Sequence, residues 1–563
     1  MSNALTSKVN DCRSCYKCIR NCPTKSISFQ NGQASIIPEE CVLCGKCFLI
    51  CPQECKIIRD DLPVVKGLLK NSKEVIASLA PSFLAAFPGT SFPKMKEALL
   101  KLGFKDVEET AVGATIVKKQ YDALAEDDSH DVIISTCCHS INLLIEKHYP
   151  DAAKYLADVL SPMLAHAQDI KRRHPEAKVV FLGPCISKKN EIEMYPGYVD
   201  AVLTFLELQR FFAEKSIIPA SETNPAAVEK SLARLFPTEG GILATMKKDN
   251  PARSYVEVAG MDESIAAIKD ILSGKVHHVF IEMSSCAGSC VNGPAIPASS
   301  RSLLSSLLSV YHSAGKLDYD VADYSYAELK KRMPGFAKVE KTYSEEAIEG
   351  VLRSIGKTSK KDELNCSSCG YPSCREKAMA VLEGKANLEM CLPFLMERAK
   401  SFSNTVVDNS FTPIVVLNES LEIELANPAM ISLVGAKTAK EMMGKSIGGY
   451  LDPSLFSLAL SGMPIKDKKI YVQAYDKYLS STITYDPRFH IIIGVCRDVT
   501  SEEKKRQKDQ AMALETAKIT SEVIEKNMRA VQEIASLLGE STAETKVALT
   551  KLQATLAKED KND

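Results

Sequence analysis

The cysteines are the residues of this sequence whose type and spacing best suit chemistry. The chain has 563 residues, of which 19 are cysteines. Nine of them lie before residue 56, five between residues 137 and 290, and four between residues 366 and 391, while Cys496 stands alone. Thiolates bind metals, and a chain without a secretion signal uses so many cysteines for metal or redox chemistry rather than for disulfides. The clustering predicts several separate metal sites.

Two N-terminal segments, residues 12–23 and 41–52, share the spacing C-x2-C-x2-C-x3-C-P. This spacing resembles that of bacterial ferredoxins, in which three thiolates of each run bind one [4Fe–4S] cluster and the fourth binds the other. Zinc is the alternative, because paired cysteines also suit tetrahedral zinc, but two complete runs with their prolines favour iron–sulfur clusters. Cys55 is left over as a bystander. The resemblance implies two N-terminal [4Fe–4S] clusters, one held by Cys12, Cys15, Cys18 and Cys51, and one held by Cys22, Cys41, Cys44 and Cys47.

Three apolar segments of the central chain run directly into cysteines. The segments DVIISTCCH, VVFLGPC and VFIEMSSCAGSC each place thiols after a strand-like run, and such runs alternate with amphipathic helical stretches. This alternation predicts an α/β domain with largely parallel strands. Ligands of open α/β sheets lie beyond the carboxyl ends of the strands, so these thiols are expected to converge on one site. The alternative is that they are small buried core residues.

The same segments resemble the three signature blocks of the catalytic domain of [FeFe] hydrogenases, in the same order. The blocks are STCCHSI at 135–141, GPCISKKNE at 183–191 and EMSSCAGSCVNG at 282–293. The resemblance implies an H-cluster, which is a [4Fe–4S] cluster joined to a two-iron subcluster that carries CO, cyanide and a bridging dithiolate amine.

Carried over by position, the resemblance implies roles for single residues. Cys290 would bridge to the two-iron subcluster, and Cys137 would pass protons to and from the bridging amine. Lys188 would hydrogen-bond an iron-bound cyanide, and its alternative is a solvated lysine beside Lys189. The [4Fe–4S] part of the H-cluster would be held by Cys138, Cys185, Cys286 and Cys290.

Four positions depart from the family pattern. His139 and Ile141 replace a proline and a tryptophan of the first block, and Gly183 and Ser284 replace methionines of the second and third blocks. We expect these residues to line the cofactor pocket, to make it more polar or roomier, and to retune its redox potential. His139 would serve either in a proton relay or as a hydrogen-bonding group beside the cofactor.

Proton delivery is predicted to be slow. The glutamates that lead protons to the surface in catalytic members of the family are expected near APSFLAAFPGTSF at residues 80–92, and this segment contains none. We therefore expect low turnover, with H2 binding and redox change at the cluster retained.

A third group of thiols follows a charged stretch at residues 356–364. Its spacing resembles that of a small [4Fe–4S] module found in corrinoid iron–sulfur proteins and in membrane electron-transport complexes. Zinc is again the alternative, and the adjoining clusters favour iron–sulfur. The resemblance implies one further [4Fe–4S] cluster, held by Cys366, Cys369, Cys374 and Cys391.

Residues 409–500 combine a strand pair, a helical middle and a closing antiparallel sheet, which resembles a PAS domain. The residues Asp498, Val499 and Thr500 match the short motif by which such domains continue into a signalling helix. His490 is predicted to lie within a strand rather than to bind haem, and Cys496 is predicted to be a core residue.

The tail from residue 501 onward has almost no turn residues and carries a heptad seam. A partner-binding helix or a parallel homodimer is expected, and an amphipathic helix lying on its own domain is the alternative. No histidine follows His490, so the helix offers no phosphoacceptor and the chain would signal through a partner. The seam consists of Ile524, Met528, Val531, Ala535, Leu538, Thr542, Thr545, Leu549, Leu552 and Leu556.

The composition excludes several classes of function. Lys and Arg total 70 and Asp and Glu total 71, so general attraction to nucleic acid or to an anionic membrane has no support. No apolar run reaches the roughly 20 residues that span a bilayer, and Met1 to Asn10 lack the apolar core of a secretion signal. A cytoplasmic protein without nucleic-acid or membrane partners is expected.

The length exceeds what one hydrophobic core supports, so we expect a multidomain protein of α/β character. The predicted parts are a bacterial-type 2[4Fe–4S] ferredoxin module at 1–60, an α/β H-cluster domain at 61–345, a small helical four-cysteine [4Fe–4S] module at 346–400, a PAS domain of the α+β class at 409–500 and a coiled-coil signalling helix at 501–563.

Together these patterns predict a sensory [FeFe] hydrogenase with slow turnover. H2 or electron pressure would set the state of the H-cluster, and the accessory clusters, PAS domain and coiled coil would pass the change to an output phosphatase or kinase. Protons and a ferredoxin-like electron partner are also expected. The alternatives are a catalytic ferredoxin-linked hydrogenase and a hydrogenase-like iron–sulfur assembly or electron-transfer protein without the two-iron site.

Overall fold

The computed structural model describes residues 3–8, 11–222, 228–333, 335–336 and 342–559. The chain divides into two compact units, Met1–Leu395 and Met396–Asp563. The boundary between them falls inside one helix, Leu392–Asp408. Each unit has its own buried apolar core.

The first unit begins with two short antiparallel strand pairs that enclose the first nine cysteines. Leu5–Ser7 pairs with Lys56–Ile58, and Ile27–Gln30 pairs with Gln33–Ile36. Each cysteine run also contains one short helix, and these helices are Lys17–Asn21 and Lys46–Ile50.

Two parallel sheets form the centre of the first unit. Every strand pair in them is parallel, as the sequence predicts, although the sequence does not separate one sheet from the other. Most of these strands are buried along their length, which explains their continuous apolar runs. The four-stranded sheet has the order Asp106–Glu109, Val75–Leu79, Lys178–Gly183, Ala201–Thr204, and the three-stranded sheet has the order Ser254–Ala259, Val279–Ser284, Val132–Ile134.

Helices pack around both sheets and connect their strands. The α-helices of this part are Leu62–Asn71, Phe83–Ala86, Phe92–Lys101, Ala111–Glu126, His139–His148, Pro162–Arg173, Lys188–Met194, Phe205–Glu214, Gly241–Thr245, Met261–Leu272, Leu303–Ser313 and Tyr326–Leu329. Short 3-10 turns lie at Pro150–Tyr155, Leu232–Leu235, Ser289–Asn292 and Ala298–Ser300.

The unit ends in a small helical module around the third group of cysteines. Its helices are Glu345–Ser354 and Cys374–Leu382, with single turns at Lys360–Asp362 and Leu388–Met390. The helix Leu392–Asp408 starts directly after this module.

The second unit contains a five-stranded antiparallel sheet, as the pattern of residues 409–500 predicts. Cys496 is 1% exposed, which confirms its predicted place in the core. His490 is exposed and lies in the turn before the last strand, so the prediction that it lies within a strand is wrong. The strand order is Ile423–Ala426, Ile414–Asn418, Ile491–Asp498, Lys477–Asp486, Ile465–Val472, with helices at Pro428–Leu433, Ala439–Met442 and Pro453–Leu460 and 3-10 turns at Ile447–Gly449 and Gln473–Tyr475.

The chain closes with a 60-residue helix, Thr500–Glu559. Its first turns contact the sheet of the same unit, where Glu503 binds Lys469 at 3.1 Å. From residue 504 to residue 554 its side chains are exposed, so the helix does not lie on its own domain. The side chain of Leu556 lies outside the described part of the chain. No helix in the described residues is long and apolar enough to span a membrane.

Candidate metal centres

The four thiols assigned to the first cluster lie around one cavity in the N-terminal module. Tyr16 starts the helix between them in the left-handed region, with φ of 54°, so that the chain turns tightly between cysteines. Cys55 lines the same cavity, and its backbone N–H donates to Cys51 Sγ at 3.3 Å. Cys55 therefore supports a neighbouring thiol rather than standing apart. The cavity thiols are Cys12, Cys15, Cys18, Cys51 and Cys55.

A second cavity in the same module is lined by the thiols assigned to the second cluster. Burial raises the pKa of Cys41 to about 11 and that of Cys44 to about 12. Such thiols keep their protons near neutral pH, so a bound metal must displace those protons. The cavity thiols are Cys22, Cys41, Cys44 and Cys47.

The third group of thiols also lies around one cavity. Asn365 Oδ1 accepts a hydrogen bond from the Cys374 backbone N–H at 2.8 Å, which fixes the turn between the first and third cysteines. Lys377, which is 1% exposed, lines the cavity and donates to the Asn387 carbonyl at 3.0 Å. A buried ammonium beside four thiols suits a negatively charged occupant. The thiols are Cys366, Cys369, Cys374 and Cys391.

Each of these three cavities is lined by at least four thiols. A tetrahedral zinc site would bring its sulfurs to about 3.8 Å from one another, because each Zn–S bond is about 2.3 Å long. Among the residues that the structure describes, no three His, Cys, Asp or Glu side chains are grouped closely enough to hold one metal ion. A four-iron cluster is larger than one ion, and its four corner irons each take one thiolate. The donor sets therefore fit such clusters.

The central thiols follow the carboxyl ends of parallel strands. Cys138 and Cys286 follow neighbouring strands of the three-stranded sheet, and Cys185 follows a strand of the four-stranded sheet. The Ser285 hydroxyl lies 3.6 Å from Cys138 Sγ and 3.8 Å from Cys286 Sγ. Burial raises the pKa of Cys286 well above its usual value, and the nearby thiols of Cys185, Cys138 and Cys290 raise it further. The structure thus brings together four thiols from two sheets.

Tyr121 contacts the thiol of Cys137. Its hydroxyl lies 3.3 Å from Cys137 Sγ and accepts a hydrogen bond from the Thr136 backbone N–H at 2.9 Å. Burial raises the pKa of Cys137 to about 12, and burial raises that of Tyr121 well above its usual value. Both groups are therefore neutral near pH 7.

Lys188 is held in a buried ionic network rather than solvated. Its ammonium donates to Glu191 Oε2 at 2.5 Å and to the Cys137 carbonyl at 3.2 Å. The other oxygen of Glu191 accepts from the buried Lys331 at 2.7 Å. Burial raises the pKa of Glu191, but Lys188 and Lys331 lower it to well below its usual range. The neighbouring Lys189 is buried as well. The solvated alternative for Lys188 is therefore wrong.

His139 is a buried, neutral group beside this network. Its Nε2 lies 3.0 Å from Asn190 Oδ1, and its Nδ1 has no hydrogen-bond partner among the described residues. Burial lowers the pKa of His139 to about 4. A relay that charges and discharges near neutral pH needs a higher pKa, so the geometry favours the other expected role, a hydrogen-bonding group.

The other three residues that depart from the family blocks, Gly183, Ser284 and Ile141, each contact side chains or backbone close by. A β-carbon on Gly183 would lie 2.5 Å from Phe181 Cε1, because side chains two apart on a strand share a face. The aromatic ring of Phe181 fills the space that a side chain at position 183 would take. The Ser284 hydroxyl donates to the Cys286 carbonyl at 3.3 Å. Ile141 is fully buried in an apolar core, which makes it a packing residue.

Three residues of this site were not found from the sequence. Glu191 stands three residues after Lys188 in the second block, and this helical spacing is a signal that could have revealed the pair. Tyr121 and Lys331 lie outside the three blocks, and only the folded chain brings them to the site.

Three family models match parts of the chain. The model of the iron-only hydrogenase large subunit, C-terminal domain, matches residues 73–294, and the 4Fe-4S dicluster domain matches residues 5–52. A family described as an Fe-S cluster matches residues 362–393. The chain therefore has an iron-only hydrogenase-like domain together with a 4Fe-4S dicluster domain and an Fe-S module.

Solved structures with similarity to parts of the chain include two [FeFe] hydrogenases and one PAS domain. A variant of the enzyme from Chlamydomonas reinhardtii is 16% identical with a TM-score of 0.38, over 46% of this chain and 91% of that chain. One from a description of stepwise H-cluster assembly is 18% identical with a TM-score of 0.36, over 45% and 89%. The PAS domain of nitrogen regulation protein NR(II) from Vibrio parahaemolyticus is 22% identical with a TM-score of 0.15, over 17% and 96%. No curated protein matches the chain.

Proposed function

We propose that this chain is a sensory [FeFe] hydrogenase that converts H2 slowly and reports H2 or electron pressure to a signalling partner. The observation that carries the proposal is the meeting of the central thiols at the carboxyl ends of strands from two sheets. Lys188 and Cys137 lie beside these thiols, where the Lys188 ammonium donates to the Cys137 carbonyl. The iron-only hydrogenase-like domain spans this site.

The thiol groups would hold the cofactors as follows. The N-terminal module would hold two [4Fe–4S] clusters and the small helical module one, while the central thiols would hold the [4Fe–4S] part of the H-cluster and Cys290 would also hold the two-iron subcluster. When bound, the two-iron subcluster supplies the centre at which H2 is converted into two protons and two electrons. Cys290 is the most exposed of the four central thiols, which suits a thiolate that would bind the two-iron subcluster as well as the [4Fe–4S] cluster.

The side chains around the site have distinct tasks in this proposal. Glu191 holds Lys188 in place, and Lys188 keeps a third N–H free of these two bonds for an anionic ligand. Cys137 holds the proton that enters or leaves at its Sγ. His139 and Ser284 set the polarity of the surroundings.

Slow turnover follows from the surroundings of Cys137. Its hydrogen-bond partner is a tyrosine, and burial raises the pKa of both groups, so proton release is unfavourable near pH 7. The residues from Ala80 to Ala86 are buried and carry no carboxylate. A sensor needs the state of its cofactor to persist, and slow proton transfer has that effect.

The output path would lead from the third cluster to the second unit. Cys391 is followed at once by the helix Leu392–Asp408, and Asn427, which directly follows the strand Ile423–Ala426, donates to the carbonyl of Val407 at 3.1 Å. At the same end of the sheet, Thr500 donates to Asp498 Oδ1 at 2.6 Å where the final helix begins. We propose that this helix forms a parallel homodimer and controls a cytoplasmic phosphatase or kinase, with a ferredoxin-like protein as the electron partner.

A comparison of turnover with internal reduction tests the sensory assignment. Matured protein under H2 is expected to show reduced accessory clusters by electron paramagnetic resonance, while dye-linked H2 oxidation stays slow. Turnover at the rates of catalytic family members would contradict the assignment and favour the ferredoxin-linked enzyme. Accessory clusters that are all present but stay oxidised under H2 would also contradict the sensory assignment, because no electrons would then reach them.

A second candidate is a hydrogenase-like electron-transfer or assembly protein without the two-iron subcluster. The feature that favours it is the presence of Gly183 and Ser284 in place of two methionines of the family blocks, because this removes side chains that pack against the two-iron subcluster in the family. Infrared spectroscopy separates the two, because iron-bound CO and cyanide are present only with the two-iron subcluster.

A further inference from the structure

The small helical module docks on the N-terminal module through the segment that carries Cys22. A β-carbon on Gly370 would lie 2.9 Å from Ile19 Cγ2, so the chain after Cys369 is in close contact with that segment. Arg20 Nη1 donates to the Ser368 carbonyl at 3.2 Å. The contact therefore joins residues beside ligands of two different cavities.

Lys25 is the centre of this contact. Its ammonium donates to the carbonyls of Ile19 at 3.1 Å, Arg20 at 3.0 Å and Gly370 at 2.8 Å. These bonds use all three of its N–H groups, two toward its own module and one toward the other. Lys25 adopts a φ of 50°, in the left-handed region that a residue with a β-carbon rarely adopts.

Thiols of both cavities shift the pKa of Lys25 and that of its neighbour Tyr371. Burial lowers the pKa of Lys25, while Cys22 and Cys369 raise it. Tyr371 is 3% exposed, lines the third cavity, and its hydroxyl has no hydrogen-bond partner in the described part of the chain. Burial raises the pKa of Tyr371, and the charges of Cys369 and Cys22 raise it further. The two cavities are therefore close enough that charges in both act on the same side chains.

The same Cys22 cavity also touches the central domain. Gly45, which follows the cavity thiol Cys44, is so close to that domain that a β-carbon would lie 2.5 Å from Pro294 Cβ and 3.0 Å from Ile186 Cδ1. Ile186 directly follows Cys185, a ligand candidate of the H-cluster. The Cys22 cavity thus contacts both the central site and the third module.

We infer that the cavity of Cys22, Cys41, Cys44 and Cys47 is a branch point for electrons, and that the Lys25 charge sets the reduction potentials of the clusters in this cavity and in the third module together. The inference rests on the proposed function for the source of the electrons. Oxidation of one H2 releases two electrons and two protons, whereas one [4Fe–4S] cluster takes up one electron. With a branch, the second electron from one H2 can occupy the cluster of the small helical module, which the second unit follows in the chain.

Replacing the charge tests the inference. In Lys25→Met, loss of a positive charge near both cavities disfavours the reduced clusters, so both potentials are expected to fall. Redox titration followed by electron paramagnetic resonance, with chemical reductant and without the maturation proteins, measures each cluster. Lys17→Met, at an exposed lysine beside Cys18, is the matched control and is expected to shift the first cluster instead. An unchanged third-cluster potential in Lys25→Met would overturn the inference.

Two further measurements keep the test decisive if Lys25→Met folds poorly. Lys25→Arg retains the charge and is expected to keep both potentials. In the unchanged protein, reduction of both clusters is expected to broaden their signals through magnetic coupling, and uncoupled signals would overturn the inference. None of these measurements needs the two-iron subcluster, so their failure is distinguishable from a failure of the hydrogenase assignment.

Discussion

Among single residues, Glu191 has the largest structural task near the central thiols. It is buried between the ammonium groups of Lys188 and Lys331, at 2.5 Å and 2.7 Å. Removing one partner of a buried ionic group leaves an uncompensated charge and costs about 3–5 kcal/mol.

We expect Glu191→Gln to lower the free energy of unfolding by about this amount, as measured by urea denaturation. Glu193→Gln is the matched control in the same helix, since Glu193 pairs with Arg59 near the surface and such pairs contribute about 0–1 kcal/mol. Equal losses of unfolding free energy in the two variants would show that the buried network stabilises the fold no more than a surface ion pair does.

Glu282 gives the stability a dependence on pH. Burial raises its pKa from 4.5 to about 7, although the Leu243 backbone N–H donates to its carboxylate at 3.0 Å. Between these pH values the folded chain keeps a proton that the unfolded chain has lost. The contribution to stability is therefore complete below pH 4.5 and falls as the pH rises to about 7.

Glu282→Gln is expected to remove this part of the pH dependence, which amounts to at most about 3 kcal/mol. Thermal unfolding of both proteins across this pH range measures the difference. A variant whose melting temperature falls as steeply with pH as that of the unchanged protein would contradict the assignment.

At the level of secondary-structure elements, the final helix carries a long apolar seam that is exposed in the part of the chain that the structure describes. Met528, Val531, Leu538, Leu549 and Leu552 are each 57–63% exposed along the heptad seam. Seams of this kind are buried when two helices pair. We propose that a second copy of the chain supplies the matching seam.

Placing charges on the seam tests the dimer. Val531→Asp with Leu538→Asp is expected to convert the dimer into a monomer in light scattering, because two carboxylates per chain would be buried against each other. Ala530→Asp with Ser536→Asp, which lie off the seam, is expected to leave the dimer intact. A monomeric unchanged protein would contradict the pairing.

The elements show where the sequence is informative. The parallel strands, the antiparallel sheet of the second unit and the long helix could be predicted because apolar periodicity and strand-end cysteines are local signals. The division into two central sheets could not, because strand order depends on contacts between distant segments. The same holds for Tyr121 and Lys331 at the site, and for the Phe181 ring that fills the space beside Gly183.

At the scale of the whole first unit, the account requires electrons to cross from the central domain to the N-terminal module. Gly45 makes this contact possible, because it has a φ of 75° and lies against Pro294. Gly32 has the same φ of 75° and nothing within 4 Å of a β-carbon. Alanine at either position carries the same backbone strain, and at Gly45 it also pushes the domains apart.

We expect Gly45→Ala to slow the H2-driven reduction of the N-terminal clusters, measured by rapid freezing and electron paramagnetic resonance in protein with full iron content. Gly32→Ala is expected to match the unchanged protein. Identical rates in all three proteins would show that electrons do not cross at this contact.

The central claim is that the central thiols hold an H-cluster that responds to H2. Infrared spectroscopy of protein made anaerobically with the maturation proteins tests it most directly, with Cys290→Ala as the control that is expected to lack the two-iron subcluster. The account predicts bands of iron-bound CO and cyanide that shift when H2 is added and that are missing in Cys290→Ala. Absence of these bands in protein whose [4Fe–4S] clusters are complete would contradict it.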